Sequence, residues 1–472
     1  MWMEYAGCAD VFVCFGKTKR ITKMGVRIEM VESRGGPQRK RGNEMSVSQT
    51  LFMNPREETA SVDQLRTWQL ERLQKIVRHV WQKNATYRKM FEEKGVGPDD
   101  VHTLDDLQKL PMLNKDIFRE TYPLGLCCVE KSELAEMHMS SGSTGTPVVM
   151  PYTLNDLSQW GECMARCYRM AGARPGDVAQ MTPTFGLFNG GFGFYHGART
   201  AGLFIIPTGA GHTQRQVKLA KDFGTRVFGA VVSYGVRFLE EKLAMGVELP
   251  ELKIGIFGAE TFSDSLKKKL SEGLGIEAFD IYGMTETGGV GTLGQTCGAH
   301  DGIHVWEDHY IVEILDPATH VPVADGETGE LVVTSLTREA LPVIRFRTGD
   351  LTRVTSRDRC ACGRTHVRIA PVTGRIDDML IIKGVNFFPR QVEQALLEIP
   401  GVLPNYQIII EESHGVKDVR IHVEAEAGVT GFMVEKHLKD RLQFSPKGDV
   451  FAPGTLPRQE GKAQRVFYEK KD

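Results

Sequence analysis

The stretch Val227-Phe228-Gly229-Ala230-Val231-Val232 and the shorter Ile254-Gly255-Ile256-Phe257 decide the fold class. Each is a continuous apolar run, and each is followed by a segment with the mixed polar and apolar spacing of a helix. Such runs are typical of strands buried on both faces, and their alternation with helices is typical of a mainly parallel sheet. The region from about residue 135 to residue 375 therefore predicts an α/β fold.

The regions on either side of this one follow other patterns. Upstream, apolar residues recur every three or four positions from Leu65 to Trp81, which predicts a helix. Downstream of Arg375, the predicted elements follow the order β-α-β-β-α, which indicates a small α+β domain of ferredoxin-like type. The predicted strands are 379–382, 406–410 and 419–423, and the predicted helices are 389–397 and 432–442. We therefore expect a large N-terminal domain over residues 46–375, a small mobile C-terminal domain over residues 376–472, and a cleft between them.

Residues 1–45 differ from the rest of the chain. They hold nine Lys and Arg against five Asp and Glu, and three of the basic residues form the run Arg39-Lys40-Arg41. The acidic residues argue against a transit peptide. We expect a disordered extension, or an upstream start codon with Met45 as the true start.

The composition excludes several classes of protein. Hydrophobic residues make up 41% and charged residues 25%, which excludes a disordered chain. The net charge is −2, so the chain has no global field for nucleic acid or an anionic membrane. No apolar run approaches the ~18 residues of a membrane span, and the nine unevenly spaced cysteines are not a secreted disulfide framework. We expect a cytoplasmic protein without nucleic-acid or membrane partners.

The stretch Ser140-Ser141-Gly142-Ser143-Thr144-Gly145-Thr146-Pro147 has the composition of an anion-binding loop. Glycines let backbone N–H groups point inward, and hydroxyls add further donors. The alternative is a Ser/Gly surface linker. The loop is not a Walker motif, because the Gly-Lys-Ser/Thr ending is missing.

Four further motifs follow this loop in order: Ile281-Tyr282-Gly283-Met284-Thr285-Glu286, Arg345-Phe346-Arg347-Thr348-Gly349-Asp350, Gly374-Arg375-Ile376-Asp377-Asp378-Met379 and Gly461-Lys462. Together they resemble the motifs of the adenylate-forming superfamily of acyl-CoA synthetases, luciferases and peptide-synthetase adenylation domains. More narrowly, the chain is similar to the phenylacetate–coenzyme A ligase family over about residues 50–472. That likeness is carried by Tyr122–Gly125, Phe185–Gly191, Trp306–His309 and Arg375–Asn386.

The resemblance implies ATP-dependent ligation of an aryl acid, phenylacetate above all, to coenzyme A. The reaction would pass through an acyl-adenylate and form AMP and pyrophosphate, with Mg²⁺ as the metal cofactor. Another aromatic acid, the loading of a carrier protein, and an F390-type adenylylation of a deazaflavin stay open as alternatives. A homodimer also stays open.

The resemblance also implies roles in the nucleotide chemistry. Lys462 would bridge the carboxylate and the α-phosphate, Thr285 and Glu286 would bind ATP and Mg²⁺, and Asp350 would accept the ribose hydroxyls. The residues assigned to ATP or AMP are Ser141, Gly142, Ser143, Thr144, Gly145, Gly258, Ala259, Glu260, Asp280, Tyr282, Gly283, Met284, Asp350 and Arg375. Many superfamily members have a lysine after Pro147, where this chain has Val148. Lys115 is a candidate for the missing cation, and an ordinary surface lysine is the alternative.

Further roles concern the hinge, coenzyme A and the acyl group. Asp377 would be the hinge about which the small domain rotates between the two half-reactions. That rotation would exchange Lys462 for Lys383, Gly384 and Asn386, which would guide the pantetheine arm. The residues assigned to the acyl pocket are Phe185, Gly186, Phe188, Gly190, Gly191 and Tyr282. Aromatic walls with glycines suit a flat ring, although ordinary core with a glycine-rich turn would give the same pattern.

Cys360-Ala361-Cys362 indicates a metal site, because closely spaced cysteines in a reducing compartment bind metal more often than they form disulfides. Structural zinc takes four ligands, and Cys297 and His304 complete a Cys₃His set. His300 and His366 are alternatives for the fourth ligand, and unpaired thiols are the alternative to a metal site. We expect Cys127, Cys128, Cys163 and Cys167 to lie in the core.

Overall fold

The computed structural model describes residues 51–140, 146–260, 262–378, 380–382, 385–413, 416–442, 446–458 and 464–470. The helices are α1 (Pro55–Glu58), α2 (Val62–Lys83), α3 (Ala85–Glu93), α4 (Lys115–Glu120), α5 (Leu154–Met170), α6 (Asn189–Thr200), α7 (Thr213–Asp222), α8 (Val232–Ala244), α9 (Asp264–Leu274), α10 (Pro389–Leu397) and α11 (Gly431–Leu442). Short 3-10 helices lie at Pro98–Asp100, Leu104–Lys109, Lys131–Glu133, Thr285–Thr287 and Ile376–Asp378.

The strands up to the middle of the chain are β1 (Glu136–Met139), β2 (Val149–Tyr152), β3 (Val178–Met181), β4 (Phe204–Pro207), β5 (Val227–Val231), β6 (Ile254–Gly258), β7 (Glu277–Tyr282), β8 (Gly294–Thr296), β9 (Ile303–Val305), β10 (Tyr310–Leu315) and β11 (Gly329–Ser335). The later strands are β12 (Phe346–Thr352), β13 (Val354–Ser356), β14 (Arg368–Ile369), β15 (Gly374–Arg375), β16 (Leu380–Ile382), β17 (Val385–Phe387), β18 (Val402–Ser413), β19 (Val416–Ala425), β20 (Lys447–Phe451) and β21 (Val466–Lys470).

The largest sheet contains nine strands in the order β13-β14-β9-β8-β7-β6-β5-β3-β4. The five strands from β7 to β4 are parallel, and the other four continue the sheet in antiparallel pairs. The predicted α/β fold with a parallel sheet is therefore confirmed. The antiparallel half of the sheet was not predicted from the sequence.

Burial on both faces of this sheet explains the continuous apolar runs 227–232 and 254–257. Val227 and Ile256 pack in one core cluster, which includes residues of α5 and α6, whereas Phe228 and Phe257 pack in another, formed largely by α8 and α9. On the first face, helix α6 approaches α5 so closely that a Cβ at Gly197 would overlap Met164. Glycine is required there because no side chain fits between the two helices.

A second sheet, β10-β11-β12-β15, is antiparallel and lies in the same N-terminal part of the chain. Its last pair sets Asp350 of β12 opposite Arg375 of β15. The chain then passes through the short helix Ile376–Asp378 to the hairpin β16-β17. The predicted domain boundary at Arg375 falls at this connection and stays a prediction.

The C-terminal part has the predicted α+β character. Helices α10 and α11 accompany a four-stranded sheet in the order β20-β19-β18-β21, of which β18 and β19 contain the predicted strands. Strands β20 and β21 were not predicted. The predicted N-terminal helix is also present as α2, which begins with a capping box between Ser61 and Gln64. No helix in the described part of the chain is long and apolar enough to cross a membrane.

Candidate active site

A cavity of about 680 Å³ lies beyond the carboxyl ends of β6 and β7, between them and residues of the C-terminal part. This edge of a parallel sheet is where ligands usually bind in α/β folds. Eight of the residues predicted to bind ATP or AMP line this one cavity: Ala259, Glu260, Asp280, Tyr282, Gly283, Met284, Asp350 and Arg375. Gly258, also predicted, is the last residue of β6 and immediately precedes this group.

Asp350 is held at the cavity by two neighbours, one from each of the two sheets. The Tyr282 hydroxyl donates to its Oδ2 over 2.6 Å, and the Arg375 guanidinium donates to its Oδ1. Burial, followed by the Asp350 charge, raises the pKa of Tyr282 well above its usual value, so Tyr282 remains a donor. A carboxylate has about four lone-pair sites, so it can accept these bonds and ribose hydroxyls together.

Glu260 has a structural contact that the sequence did not predict. The Ser233 backbone N–H and hydroxyl donate to its carboxylate over 2.6 and 3.0 Å, so Glu260 caps the first turn of α8. The preceding residue, Ala259, has a left-handed backbone with φ of 66°, which is strained for alanine. Strain of this kind is common where a backbone must approach a ligand.

Asp280 lies half-buried in the cavity wall, two residues before the end of β7. Removal from bulk water raises its pKa to about 7, and the charges of Arg390 and Lys267 only partly oppose that rise. Arg390 belongs to α10, so the C-terminal part influences a carboxyl of the central sheet. The cavity wall also contains C-terminal residues that the sequence did not nominate: Arg390, Glu393, Tyr406, Arg458 and Arg465. No motif indicated them, because only folding brings them to the cleft.

Glu286 and Lys115 form an ion pair in the N-terminal part. The Lys115 Nζ lies 3.8 Å from a Glu286 carboxylate oxygen, and the Glu286 side chain is only 5% exposed. Lys115 also lines a small depression of about 190 Å³ together with Arg347 and Arg375. The contact with Glu286 places Lys115 next to a residue predicted to bind ATP and Mg²⁺, and its role as the missing cation stays a prediction.

The predicted acyl-pocket residues separate into two environments. Phe185 packs edge-on against Phe192 at a ring-centroid distance of 5.4 Å, whereas Phe188 is 51% exposed. A Cβ at Gly191 would lie 2.7 Å from the carbonyl oxygen of Thr184, so this glycine lets α6 pack against the preceding backbone. Of the six acyl-pocket residues, only Tyr282 lines the large cavity.

Several predicted residues lie outside the described part of the chain. They are the loop residues Ser141, Gly142, Ser143, Thr144 and Gly145, together with Lys383, Gly384 and Lys462. Asp377 belongs to the short helix Ile376–Asp378, and Asn386 belongs to β17. Their roles stay predictions.

The four predicted metal ligands converge. The ligand atoms of Cys297, His304, Cys360 and Cys362 all lie within 4.8 Å of one another. Hydrogen bonds from His304 to Cys360 and from Cys297 to Cys362 lower the pKa of the two acceptor thiols, which favours the thiolate form that binds metal. This donor set fits tetrahedral zinc.

The two alternative histidines are occupied elsewhere. The His300 ring contacts Lys267 and Glu277, and both nitrogens of the His366 ring lie at backbone carbonyl oxygens. Three of the four cysteines predicted to lie in the core, Cys128, Cys163 and Cys167, are buried, and Cys127 is half-buried.

The comparisons with known proteins agree with this geometry. The family model of the AMP-binding enzymes matches residues 47–337, and the model of the AMP-binding enzyme C-terminal domain matches residues 384–470. The phenylacetate–coenzyme A ligase of Thermus thermophilus is 39% identical over 88% of this chain and 99% of its own length. The enzymes of the same name from Pseudomonas putida and Escherichia coli are 41% and 37% identical, each over 87% of this chain and over 95% and 96% of their own lengths.

The chain belongs to the phenylacetate–coenzyme A ligase family. It is therefore an adenylate-forming enzyme of the ligase class. Solved structures of a 2-hydroxyisobutyryl-CoA ligase add information about its conformation. This chain matches that enzyme in the postadenylation state with a TM-score of 0.83, at 26% identity over 90% of this chain and 94% of the other. It matches the thioesterification state with a TM-score of 0.68, at 27% identity over 91% and 94%. The arrangement of this ligase-family chain is thus closer to the postadenylation state.

Proposed function

We propose that the chain ligates phenylacetate to coenzyme A at the expense of ATP, through phenylacetyl-adenylate, with release of pyrophosphate and AMP. The observation that carries the proposal is Asp350, held by Tyr282 and Arg375 at the edge of the parallel sheet. A fixed carboxylate suits the two hydroxyls of a ribose, and the names of the relatives at 37% to 41% identity support phenylacetate as the acid and coenzyme A as the thiol.

In the first half-reaction, the acid carboxylate attacks the α-phosphorus and pyrophosphate leaves. Both groups are anionic, so cations and correct positioning must supply most of the rate enhancement. We assign Lys462 to the reacting carboxylate and the α-phosphate. Glu286 is assigned to Mg²⁺, which neutralises phosphate charge when it is bound. The contact between Lys115 and Glu286 supports Lys115 as a second cation near the departing pyrophosphate.

In the second half-reaction, the coenzyme A thiol attacks the acyl carbon and AMP leaves. We assign Asp377 to the hinge and Lys383, Gly384 and Asn386 to the pantetheine arm. A rotation of the small domain is supported by the comparison of this chain with two states of the 2-hydroxyisobutyryl-CoA ligase. The TM-score is 0.83 for the postadenylation state and 0.68 for the thioesterification state, so those two states of one enzyme differ in arrangement.

The test is AMP release with ATP, Mg²⁺ and coenzyme A across acetate, octanoate, benzoate, phenylacetate and indoleacetate. We expect phenylacetate to exceed acetate and octanoate in kcat/KM by about a hundredfold, since burial of a phenyl ring is worth about 2–3 kcal/mol. A preference for octanoate would contradict the aryl pocket but not the ligase reaction. No turnover of any free acid would favour carrier loading or an F390-type reaction.

We also propose a structural zinc ion on Cys297, His304, Cys360 and Cys362. The residues that follow Cys362 support a structural role, because they anchor the N-terminal segment to the main body. The fully buried Arg364 donates to Glu58 and to the Leu51 carbonyl, and the Thr365 hydroxyl donates to the Ala60 carbonyl. Elemental analysis of freshly purified protein should give one zinc per chain, and its absence would refute the site.

A further inference from the structure

Asn189 connects the segment 185–191, here called the acyl loop, to Thr285 of the pair Thr285 and Glu286 that is assigned to ATP and Mg²⁺. It is the first residue of α6, and its Nδ2 donates to the Thr285 hydroxyl oxygen over 2.8 Å. The two residues are 96 positions apart in sequence, so this bond is not a local helix cap. Among the described residues, no side chain caps α6 at Phe188. The Asn189 amide likewise bonds to Thr285 and not to the end of its own helix.

The same loop is attached to the strand that enters the Ser/Thr/Gly loop. The Leu187 carbonyl accepts a hydrogen bond from the Met139 backbone N–H over 2.8 Å. One residue later, Ser140 and Val148 close the base of that loop, because each donates its N–H to the other at 2.9 Å. The segment from Leu187 to Asn189 is therefore held at both ends by residues next to the predicted nucleotide-binding groups.

The direction of the Asn189 bond determines what Thr285 can do. A hydroxyl has one hydrogen to donate and two lone pairs to accept with. Because the amide N–H occupies a lone pair, the Thr285 O–H points elsewhere and is available as a donor. A donor beside Glu286 suits an anionic phosphate oxygen, whereas an acceptor there would repel it.

We propose that Asn189 is a positioning residue that presents the Thr285 hydroxyl as a hydrogen-bond donor to the nucleotide. Through Leu187 and Asn189, the acyl loop and the nucleotide site are one connected unit. This inference rests on the proposed function for the identity of the nucleotide, but not on the identity of the acid.

The test is a double-mutant cycle read by binding of α,β-methylene-ATP with Mg²⁺, measured by calorimetry in the full chain. Asn189→Ala should weaken binding by about fivefold to tenfold, the loss expected for one hydrogen bond. Asn189→Asp should weaken it more, because an acidic side chain accepts the Thr285 hydrogen and adds negative charge. In a Thr285→Val background, Asn189→Ala should change affinity by less than about twofold. In a Thr285→Ser background, which keeps the hydroxyl, the full loss should return.

A structural role for Asn189 makes different predictions. In that case Asn189→Ala would lower Tm and would weaken binding by the same factor in the Thr285→Val and Thr285→Ser backgrounds. Equal losses in the two backgrounds, or an unchanged affinity in Asn189→Ala, would overturn the proposal. If Asn189→Ala fails to fold, Asn189→Ser provides the cycle with a smaller change. Binding of the analogue does not require an acid, so a failure of the phenylacetate assignment would appear only in the acid panel.

Discussion

The large cavity at the sheet edge, here called the cleft, and the cluster of Cys297, His304, Cys360 and Cys362 both gather ionisable side chains. The cleft surrounds a space, whereas the cluster encloses none. The cleft surrounds about 680 Å³, and half-buried groups such as Asp280, Arg375 and Arg390 line it beside the buried Asp350. The cluster brings four ligand atoms within 4.8 Å, and three of its four residues are buried. A partly exposed, roomy site suits ligands that come and go, whereas a closed site suits a permanent ion. Substitutions in the cleft should therefore change activity, and substitutions in the cluster should change stability.

The largest effect should come from Lys462→Ala, which tests the chemistry assigned to the cleft. We expect adenylate formation to fall by about 10²–10³-fold, because a charge that stabilises the transition state is lost. Thioester formation from supplied phenylacetyl-adenylate should change little, since the small domain would then present another face. ATP–pyrophosphate exchange measures the first half-reaction, and thioester release measures the second.

Lys439→Ala provides the control for Lys462→Ala, because Lys439 is an exposed lysine of α11 in the same part of the chain. It should leave both half-reactions and Tm unchanged. Equal losses of both half-reactions in Lys462→Ala would contradict the exchange of faces.

The second effect tests the cluster. Cys360→Ser should release the zinc ion and lower Tm by roughly 5–10 °C, because a structural metal contributes its binding free energy to folding. Activity per folded molecule should stay within about twofold. Cys127→Ser, at a half-buried thiol that is not one of the four predicted ligands, should retain the metal. Loss of turnover without loss of stability in Cys360→Ser would reverse the contrast between the two regions.

The third effect returns to the cleft. Asp350→Asn should raise KM for ATP by about tenfold to thirtyfold, because a charge-assisted hydrogen bond to the ribose becomes a neutral one. The variant also leaves Arg375 opposite a neutral partner, so a small decrease in Tm is expected. Steady-state kinetics with varied ATP provide the measurement. An unchanged KM for ATP together with a changed KM for the acid would move Asp350 out of the nucleotide site.

The sequence predicted local patterns and motifs better than contacts between distant segments. The parallel strands and α2 were predictable, because apolar runs and helical periodicity are local signals. The Cys₃His set was predicted from the close Cys360 and Cys362 pair, to which Cys297 and His304 of an upstream segment were added. The antiparallel half of the large sheet was missed, since β8, β9, β13 and β14 are only two or three residues long. Such strands are too short to give a periodic signal, and their pairing depends on the rest of the fold.

The site was predictable where a motif carried it and not where folding assembled it. Asp350 and Arg375 belong to separate motifs, yet the sheet register brings them together. Arg390 and Arg465 have no local signature that distinguishes them from other polar residues, and Asn189 lies in the Phe185–Gly191 stretch but received no role there. Their positions follow from helix ends and strand ends that meet only in the folded chain, so no sequence pattern could indicate them.

The smallest effect concerns the stability cost of keeping Asp280 in the cleft. Burial raises its pKa to about 7, above the 3.8 of an unperturbed side chain, so the folded chain binds this proton more tightly than the unfolded chain does. The free energy of unfolding should therefore decrease as the pH rises from about 4 to about 7 and remain lower above that range. Asparagine has no charge to bury, so Asp280→Asn should match the wild type near pH 4.5 and exceed its Tm by about 2–4 °C near pH 8, after allowance for partial exposure to solvent.

Asp440→Asn, on an exposed face of α11, is the control and should shift Tm by less than about a degree at either pH. Thermal unfolding of the three proteins at both pH values provides the measurement. A stability gain of the same size at both pH values would mean that the charge of Asp280 does not lower the free energy of unfolding. The contrast between the cleft and the cluster would then not include an electrostatic cost.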